Sequence, residues 1–296
     1  MTLATFYWDP DRAMFSFPIP LLERPVLWYG FFFALGFFLG YGIIVYLLKR
    51  YFLHFPGVSL KGGVVKAVDR LTVYMIAGTL IGARLGDLLF YQDWALLAHD
   101  PLSVFKVWEG GLASHGAAVG ILLALFLYAK KIQRDCLHLS FLRVLDLVVI
   151  PASVGCGFIR LGNFFNQEII GTATSVPWGV IFGHPADGGP LIPRHPAQLY
   201  EAFFLWAVFG ILMLYWKKHP DLKNPGRIAG LFVTLVFAFR FLVEFLKPEQ
   251  SAHLGVNGLL TMGQYLSIPF LFLGVYLLCR KQSCVLYPPN QREQVE

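Results

Sequence analysis

Apolar residues in this chain come in blocks rather than in alternation with polar ones. The run Phe31-Phe-Phe-Ala-Leu-Gly-Phe-Phe-Leu39 has no polar break. A barrel strand would alternate, so such runs predict helices. Blocks approaching the ~20 apolar residues that cross a bilayer lie at roughly 29–48, 71–90, 112–129, 144–159, 197–216, 228–246 and 259–279. The pattern predicts an all-α polytopic membrane protein of about seven transmembrane helices, organised as a single membrane-embedded domain over 1–296. Residues 161–195 form the longest polar interruption. With Gly171, Pro177, Gly183, Pro185, Gly188, Gly189, Pro190 and Pro193, this stretch cannot sustain a long helix and reads as a small irregular extramembrane cap. Residues 1–27 carry Trp8, Phe15 and Phe17 with four prolines, a mixture suited to the membrane–water interface.

Composition agrees with the pattern. The 296 residues are 56% hydrophobic and 14% charged, against about a quarter charged in soluble domains. Mean hydropathy is +0.60. No cleavable signal peptide is expected, because no apolar core closely follows Arg12, the first basic residue. A net charge of +6 raises the question of nucleic acid, and the placement of the charges answers it. Sixteen of the 24 Lys and Arg fall in three inter-span loops (Lys49–Arg70, Lys130–Arg143, Lys217–Arg227) and the C-terminal tail. All four lie on one side if seven spans are drawn. The excess is topological; it predicts an outer N-terminus and a cytoplasmic C-terminus, and nucleic-acid binding is not needed to explain it. The cap would then lie outside.

Four cysteines (Cys136, Cys156, Cys279, Cys284) show no Cys-x-x-Cys pair and no metal spacing. The other histidines are scattered, so no metal site is expected. Cys156 lies four residues before Arg160 and reads as a small packing residue.

The unusual residues are polar ones at span ends. Arg160-Leu-Gly-Asn-Phe-Phe-Asn-Gln-Glu168 brings a guanidinium, Asn163, Asn166 and a carboxylate to the end of the fourth span. Ionised groups there are costly unless they face protein, water or a ligand. A lone arginine would snorkel to the head groups; two amides and a carboxylate beside it point to a polar site instead. If the helix continues, Arg160 and Asn163 share a face. On the predicted topology, Tyr29, His115, Arg160 and the pair Arg240 and Glu244 reach a similar depth in the outer half of the membrane, with Arg84 and Asp87 farther along the second span. Taken singly, Tyr29 is an interfacial belt residue, His115 a packing histidine, and Arg240–Glu244 and Arg84–Asp87 self-neutralising ion pairs. Convergence from separate spans is what those readings leave unexplained. Arginines fork onto phosphate, and a histidine near pKa ~6.5 can accept a proton from a thiol near ~8.5. The residues by themselves reach a membrane enzyme or binder for an anionic lipid.

The run Arg160 to Gly171 resembles the signature of the bacterial prolipoprotein diacylglyceryl transferase family, R-x-G-N-F-x-N-x-E-x-x-G. Further motifs in the same order are similar to that family's: Trp28-Tyr-Gly30, Glu109-Gly-Gly-Leu-Ala-Ser-His-Gly116, Arg194-His-Pro-Ala-Gln-Leu-Tyr-Glu201, Phe239-Arg-Phe-Leu-Val-Glu-Phe245 and Met262-Gly-Gln264. Departures stand at Glu109, Ala117 and Ile159. The resemblance implies a bacterial inner-membrane enzyme, without a cofactor, that moves diacylglyceryl from phosphatidylglycerol to the lipobox cysteine of prolipoprotein signal peptides. A thioether forms and glycerol phosphate leaves. It implies His115 as base for the incoming thiol, or an arginine-organised water in that role, with Arg160 and Arg240 on the phosphate. Asn163, Asn166 and Glu168 would serve Arg160 and the head group, Glu244 would orient Arg240, Tyr29 would donate a hydrogen bond, and Arg84 would be a further contact. Rival classes are a transporter or flippase for an anionic lipid, which the lack of internal repeats disfavours, and a lipid-binding scaffold without chemistry.

Overall fold

Seven helices, each long and apolar enough to cross a membrane, dominate the computed structural model, which describes residues 6–15, 25–54, 60, 62–90, 113–134, 136, 139–248 and 260–280. They are α1 (Trp28–Leu53), α2 (Gly63–Phe90), α3 (Ser114–Ile132), α4 (Phe141–Phe165), α5 (Ala197–Lys218), α6 (Arg227–Val243) and α7 (Met262–Cys279). The protein is a polytopic, mostly helical membrane protein. The segment 91–112, the expected first residues of the seventh span and Cys284 lie outside the described residues.

Contacts gather the described residues into two compact units. One holds the chain through Ile43 and again from Asp146 onward; the other holds Ile44–Leu145. In the second, α2 and α3 pack through glycine. A Cβ on Gly120 would strike the Gly78 carbonyl, and one on Gly116 would strike that of Gly82. Lipid supplies no hydrophobic drive between helices, so backbones that approach this closely gain their attraction from dispersion contacts. Ala113 N–H donates to Ala83 O (3.0 Å) where the two helices meet.

In the first unit, α6 and α7 meet in the same way. A Cβ on Gly230 would come within 2.8 Å of Leu277 and 2.9 Å of Gly274 O. Thr261 begins α7 with a capping box: its hydroxyl accepts from Gln264 N–H while Gln264 Oε1 accepts from Thr261 N–H.

Helix α4 runs six residues past the expected end at Ile159 and carries Arg160 and Asn163 inside the helix. Its last turn closes into left-handed backbone at Gln167 (φ 56°), a conformation that favours glycine. Tertiary bonds hold it there. Gln167 Nε2 donates to Asp9 Oδ1 (3.1 Å), its Oε1 accepts from His184 N–H (2.7 Å), and its carbonyl accepts from Ala186 N–H (3.0 Å).

The stretch after α4, for which the sequence predicts a cap, contains a small sheet that the apolar blocks did not predict. Strand β1 (Phe6–Trp8) runs parallel to β2 (Val180–Phe182), and β2 pairs antiparallel with β3 (Pro193–Arg194). Trp8 is therefore not merely interfacial. Its indole N–H donates to Phe164 O (3.1 Å), and its ring stacks on Phe164 at 4.6 Å. Phe164, Ile170, Val180 and Phe182 form a buried cluster under the sheet. The end of α4 is thereby anchored in a packed core of its own.

Candidate functional site

Arg160 lies on the α4 face from which Asn163 also projects, and its Nη1 donates to Asn163 Oδ1 at 3.3 Å. Asn163 passes the interaction on, its Nδ2 donating to Glu168 Oε2 (3.0 Å) while Asn166 Nδ2 donates to Glu168 Oε1 (3.0 Å). Both carboxylate oxygens of Glu168 are thus held by amides projecting from the end of α4. Buried Gln198, at the start of α5, donates to the Glu168 carbonyl.

An ion-pair partner of Arg160 comes from α5. Arg160 Nε stands 2.8 Å from Glu201 Oε2, and Glu201 Oε1 accepts from Lys247 Nζ at 2.6 Å. The Glu201 and Lys247 side chains are each 8% exposed, that of Arg160 27%. One carboxylate thus fixes two cations, with a third group, Asn163, on the arginine's flank. Arg160 Nη2 has no partner among the described residues. This guanidinium is held at Nε and Nη1, which leaves the Nη2 donors to meet an anion.

Gly171 explains how the chain brings Lys247 there. Its N–H donates to His195 O (3.0 Å), and the next residue, Thr172, donates to Leu246 O (2.8 Å). A Cβ on Gly171 would stand 2.7 Å from His195 O and 2.8 Å from Leu246 O. Only glycine lets the backbones of the cap, the start of α5 and the turn after α6 approach this closely. The cap is braced beside it. Arg194 Nε donates to Gly171 O (2.8 Å), and its two terminal nitrogens meet both oxygens of Asp187 at 3.0 and 2.7 Å. The Arg194 hydrogen bond holds the Asp187 carboxyl below its ordinary value. Likewise the His184 Nδ1 contact at 2.6 Å holds Asp9 low.

Tyr29, in the first turn of α1, rests on α4 at Gly162, where a Cβ would come within 2.8 Å of the tyrosine ring. It lies within electrostatic range of Glu168 and Arg160, and its hydroxyl has no hydrogen-bond partner among the described residues. Arg240 ends α6 with its side chain exposed and unpaired among those residues. Phe239 stacks on Phe204 at 3.9 Å, which levels this end of α6 with the early turns of α5 that carry Glu201. The expected partnership of Arg240 with Glu244 is absent among the described residues. The helix tightens to 3₁₀ geometry at Glu244–Leu246, and the Glu244 carboxylate packs on Gly263, at the start of α7. Reading Glu244 as the residue that orients Arg240 is corrected accordingly.

In the other unit, His115 occupies the exposed first turn of α3 without a partner among the described residues. Arg84 and Asp87 are buried and lie 3.5 Å apart as an i,i+3 pair on α2, the arrangement expected of a self-neutralising pair.

Glu201, Lys247 and Gln198 were not singled out as site residues from sequence. Glu201 and Gln198 sit within the Arg194–Glu201 motif, and that is where a signal lay. Lys247 stands just past the expected end of the sixth span at 246 and carried no such signal.

The chain matches the family model described as prolipoprotein diacylglyceryl transferase over residues 17–280. It is similar to proteins named phosphatidylglycerol–prolipoprotein diacylglyceryl transferase from several bacteria. That of Chloroherpeton thalassium is 43% identical, with 94% of each chain covered. Those of Tolumonas auensis and Protochlamydia amoebophila are 39% and 38% identical, covering 92% and 95% of this chain and 96% of each relative.

Proposed function

The chain belongs to the prolipoprotein diacylglyceryl transferase family, and we propose that it transfers diacylglyceryl from phosphatidylglycerol to the lipobox cysteine thiol of prolipoproteins. It does so as a multi-pass enzyme of the bacterial inner membrane, with its cap on the outer side. The carrying observation is the partly engaged Arg160, fixed through Nε by Glu201 and through Nη1 by Asn163 with Nη2 open.

In this reading the substrate cysteine supplies the nucleophile. Its thiolate attacks the glyceryl carbon that bears the phosphate; the carbon–sulfur bond forms as the carbon–oxygen bond breaks. Glycerol phosphate leaves with the electron pair. Arg160 and Arg240 hold the phosphate and stabilise the charge that gathers on the departing oxygen. Glu201 keeps Arg160 in the orientation that chemistry needs, and Asn163, Asn166 and Glu168 support it from α4. Tyr29 offers a donor to the head group. His115 takes the thiol proton, a role that its chemistry and its motif support; a water organised by an arginine is the alternative base. Arg84, although paired with Asp87, is a further contact for the head group. Glu244 shapes the junction of α6 with α7.

Incubating the purified protein with phosphatidylglycerol and a lipobox peptide, then weighing the peptide, tests the proposal. A mass increase of one diacylglyceryl that survives thiol reductants, and that base trims to a glyceryl thioether by removing the acyl esters, supports it. An unmodified peptide with lipid merely bound would favour a scaffold, and lipid moved between leaflets a flippase.

A further inference from the structure

The turn between α5 and α6 lies at the opposite end of those helices from the Arg160 cluster. Lys218 is 17 residues beyond Glu201 on α5, about 25 Å at the rise of an α-helix. The segment Lys217–Arg227 holds four Lys or Arg against one acid, Asp221. Topology accounts for such charges being present in a loop. It does not account for their folding around a cavity.

That cavity has a volume of about 180 Å³, and its lining includes Lys218, His219, Lys223, Asn224 and Arg227. The loop is wound tightly to make it. His219 N–H closes α5 onto Tyr215 O and Trp216 O, Leu222 is buried in left-handed backbone (φ 48°), and Gly226 turns at φ 93°. Three N–H groups at the start of α6, those of Gly226, Arg227 and Ala229, are already taken. Gly226 N–H and Ala229 N–H donate to the two Asp146 oxygens at 2.6 and 2.8 Å. An arriving anion would therefore meet side chains. Lys223 leans 3.2 Å from Asp221. Lys218 and Arg227 have no ion pair among the described residues, and Arg227 Nε is buried without a hydrogen-bond partner there. A buried donor of that kind is rare unless something else satisfies it.

We propose that this cavity is a second anion site, separate from the transferase centre, that takes a phosphate group between Arg227 and Lys218. Drug-sized ligands occupy about 300–1,000 Å³; this cavity is smaller, which suits a phosphate and not a whole lipid. The phosphate arrives either as the head group of an anionic phospholipid in the adjoining leaflet or as free inorganic phosphate.

Hydrogen exchange of the 219–227 amides in the full-length protein distinguishes these sources. In detergent, inorganic phosphate is compared with chloride at equal ionic strength; in nanodiscs, phosphatidylglycerol is compared with phosphatidylcholine. Protection by inorganic phosphate in detergent identifies the free ion, and protection confined to the phosphatidylglycerol discs identifies the head group. In either case Arg227→Gln weakens the protecting interaction about tenfold, the loss expected for one charged hydrogen bond. The double variant Lys218→Gln/Lys223→Gln, which alters only exposed side chains, does the same. Equal exchange in both comparisons, or protection that survives in both variants, overturns the proposal.

Discussion

Arg160 Nε and Glu201 Oε2 stand 2.8 Å apart, joining the end of one span to the first turns of the next, and the same carboxylate holds Lys247 at 2.6 Å. A carboxylate that serves two cations positions both. The transferase chemistry proposed for Arg160 consequently depends on a residue with no direct role in that chemistry.

Glu201→Ala leaves Arg160 and a largely buried Lys247 without their counter-charge. Breaking a buried pair from one side costs about 3–5 kcal/mol; with Arg160 27% exposed, the lower figure applies. Thermal unfolding in detergent is expected to start markedly lower, with transfer slowed about 10²-fold by misplacement of the guanidinium. Glu201→Gln, which keeps one acceptor, recovers part of both. A variant with parent-like stability and rate would remove Glu201 from the account.

Arg160→Lys keeps the charge and loses the fork. A lysine cannot hold Glu201 and Asn163 from separate nitrogens while presenting a third to phosphate. The transfer rate on a lipobox peptide is expected to fall by about 10²-fold or more, with helix content by circular dichroism unchanged. A rate within a few-fold of the parent would show that charge alone suffices.

His115→Asn tests the base. Removing a general base costs about 10²–10⁴ in transfer rate on a lipobox peptide. If an arginine-organised water is the base instead, the variant keeps a rate within a few-fold of the parent.

Gly171→Ala presses a methyl against His195 O and Leu246 O. Overpacking of this kind costs about 1–3 kcal/mol and pushes Leu246, and with it Lys247, away from Glu201. Moderate destabilisation with a disproportionate fall in activity is expected. Stability lost with activity intact would mean that the junction does not position the site.

Acid should loosen the cap through Asp187. Its carboxyl is lowered from 3.8 by the Arg194 hydrogen bond, so its stabilising contribution is complete above that value and disappears as pH falls through the depressed one. With Asp187 44% exposed, the effect is small, about 1 kcal/mol or less. Amide exchange across 183–194 is expected to quicken only below the ordinary carboxylate range. Asp187→Asn should exchange faster already at neutral pH and lose the dependence.

The membrane fold was legible because lipid forces its own pattern: seven apolar blocks, seven helices. Arg160 beside Asn163 was legible too, since spacing of three on a helix places side chains together. Apolar counting nonetheless ended the fourth span at Ile159. Hydropathy records what a residue avoids and not the partner it finds, and Glu201 lies 41 positions away. The sheet escaped for a related reason: parallel pairing of Phe6–Trp8 with Val180–Phe182 leaves no local periodicity. Gln167 in left-handed backbone had no glycine to announce it. Arg240 and Glu244 have the spacing of an ion pair, but the helix tightens at Glu244 and sends the carboxylate to Gly263.

Strand β1 cannot find its place until β2 exists, and four membrane helices are synthesised between them. Its partner leaves the ribosome only after those helices have been delivered to the bilayer, so the foremost residues must wait unpaired at the surface through most of translation. Completion of the cap is therefore a late event in biogenesis. An amino-terminal fusion that obstructs Trp8 would yield a fully inserted protein whose catalytic end never sets.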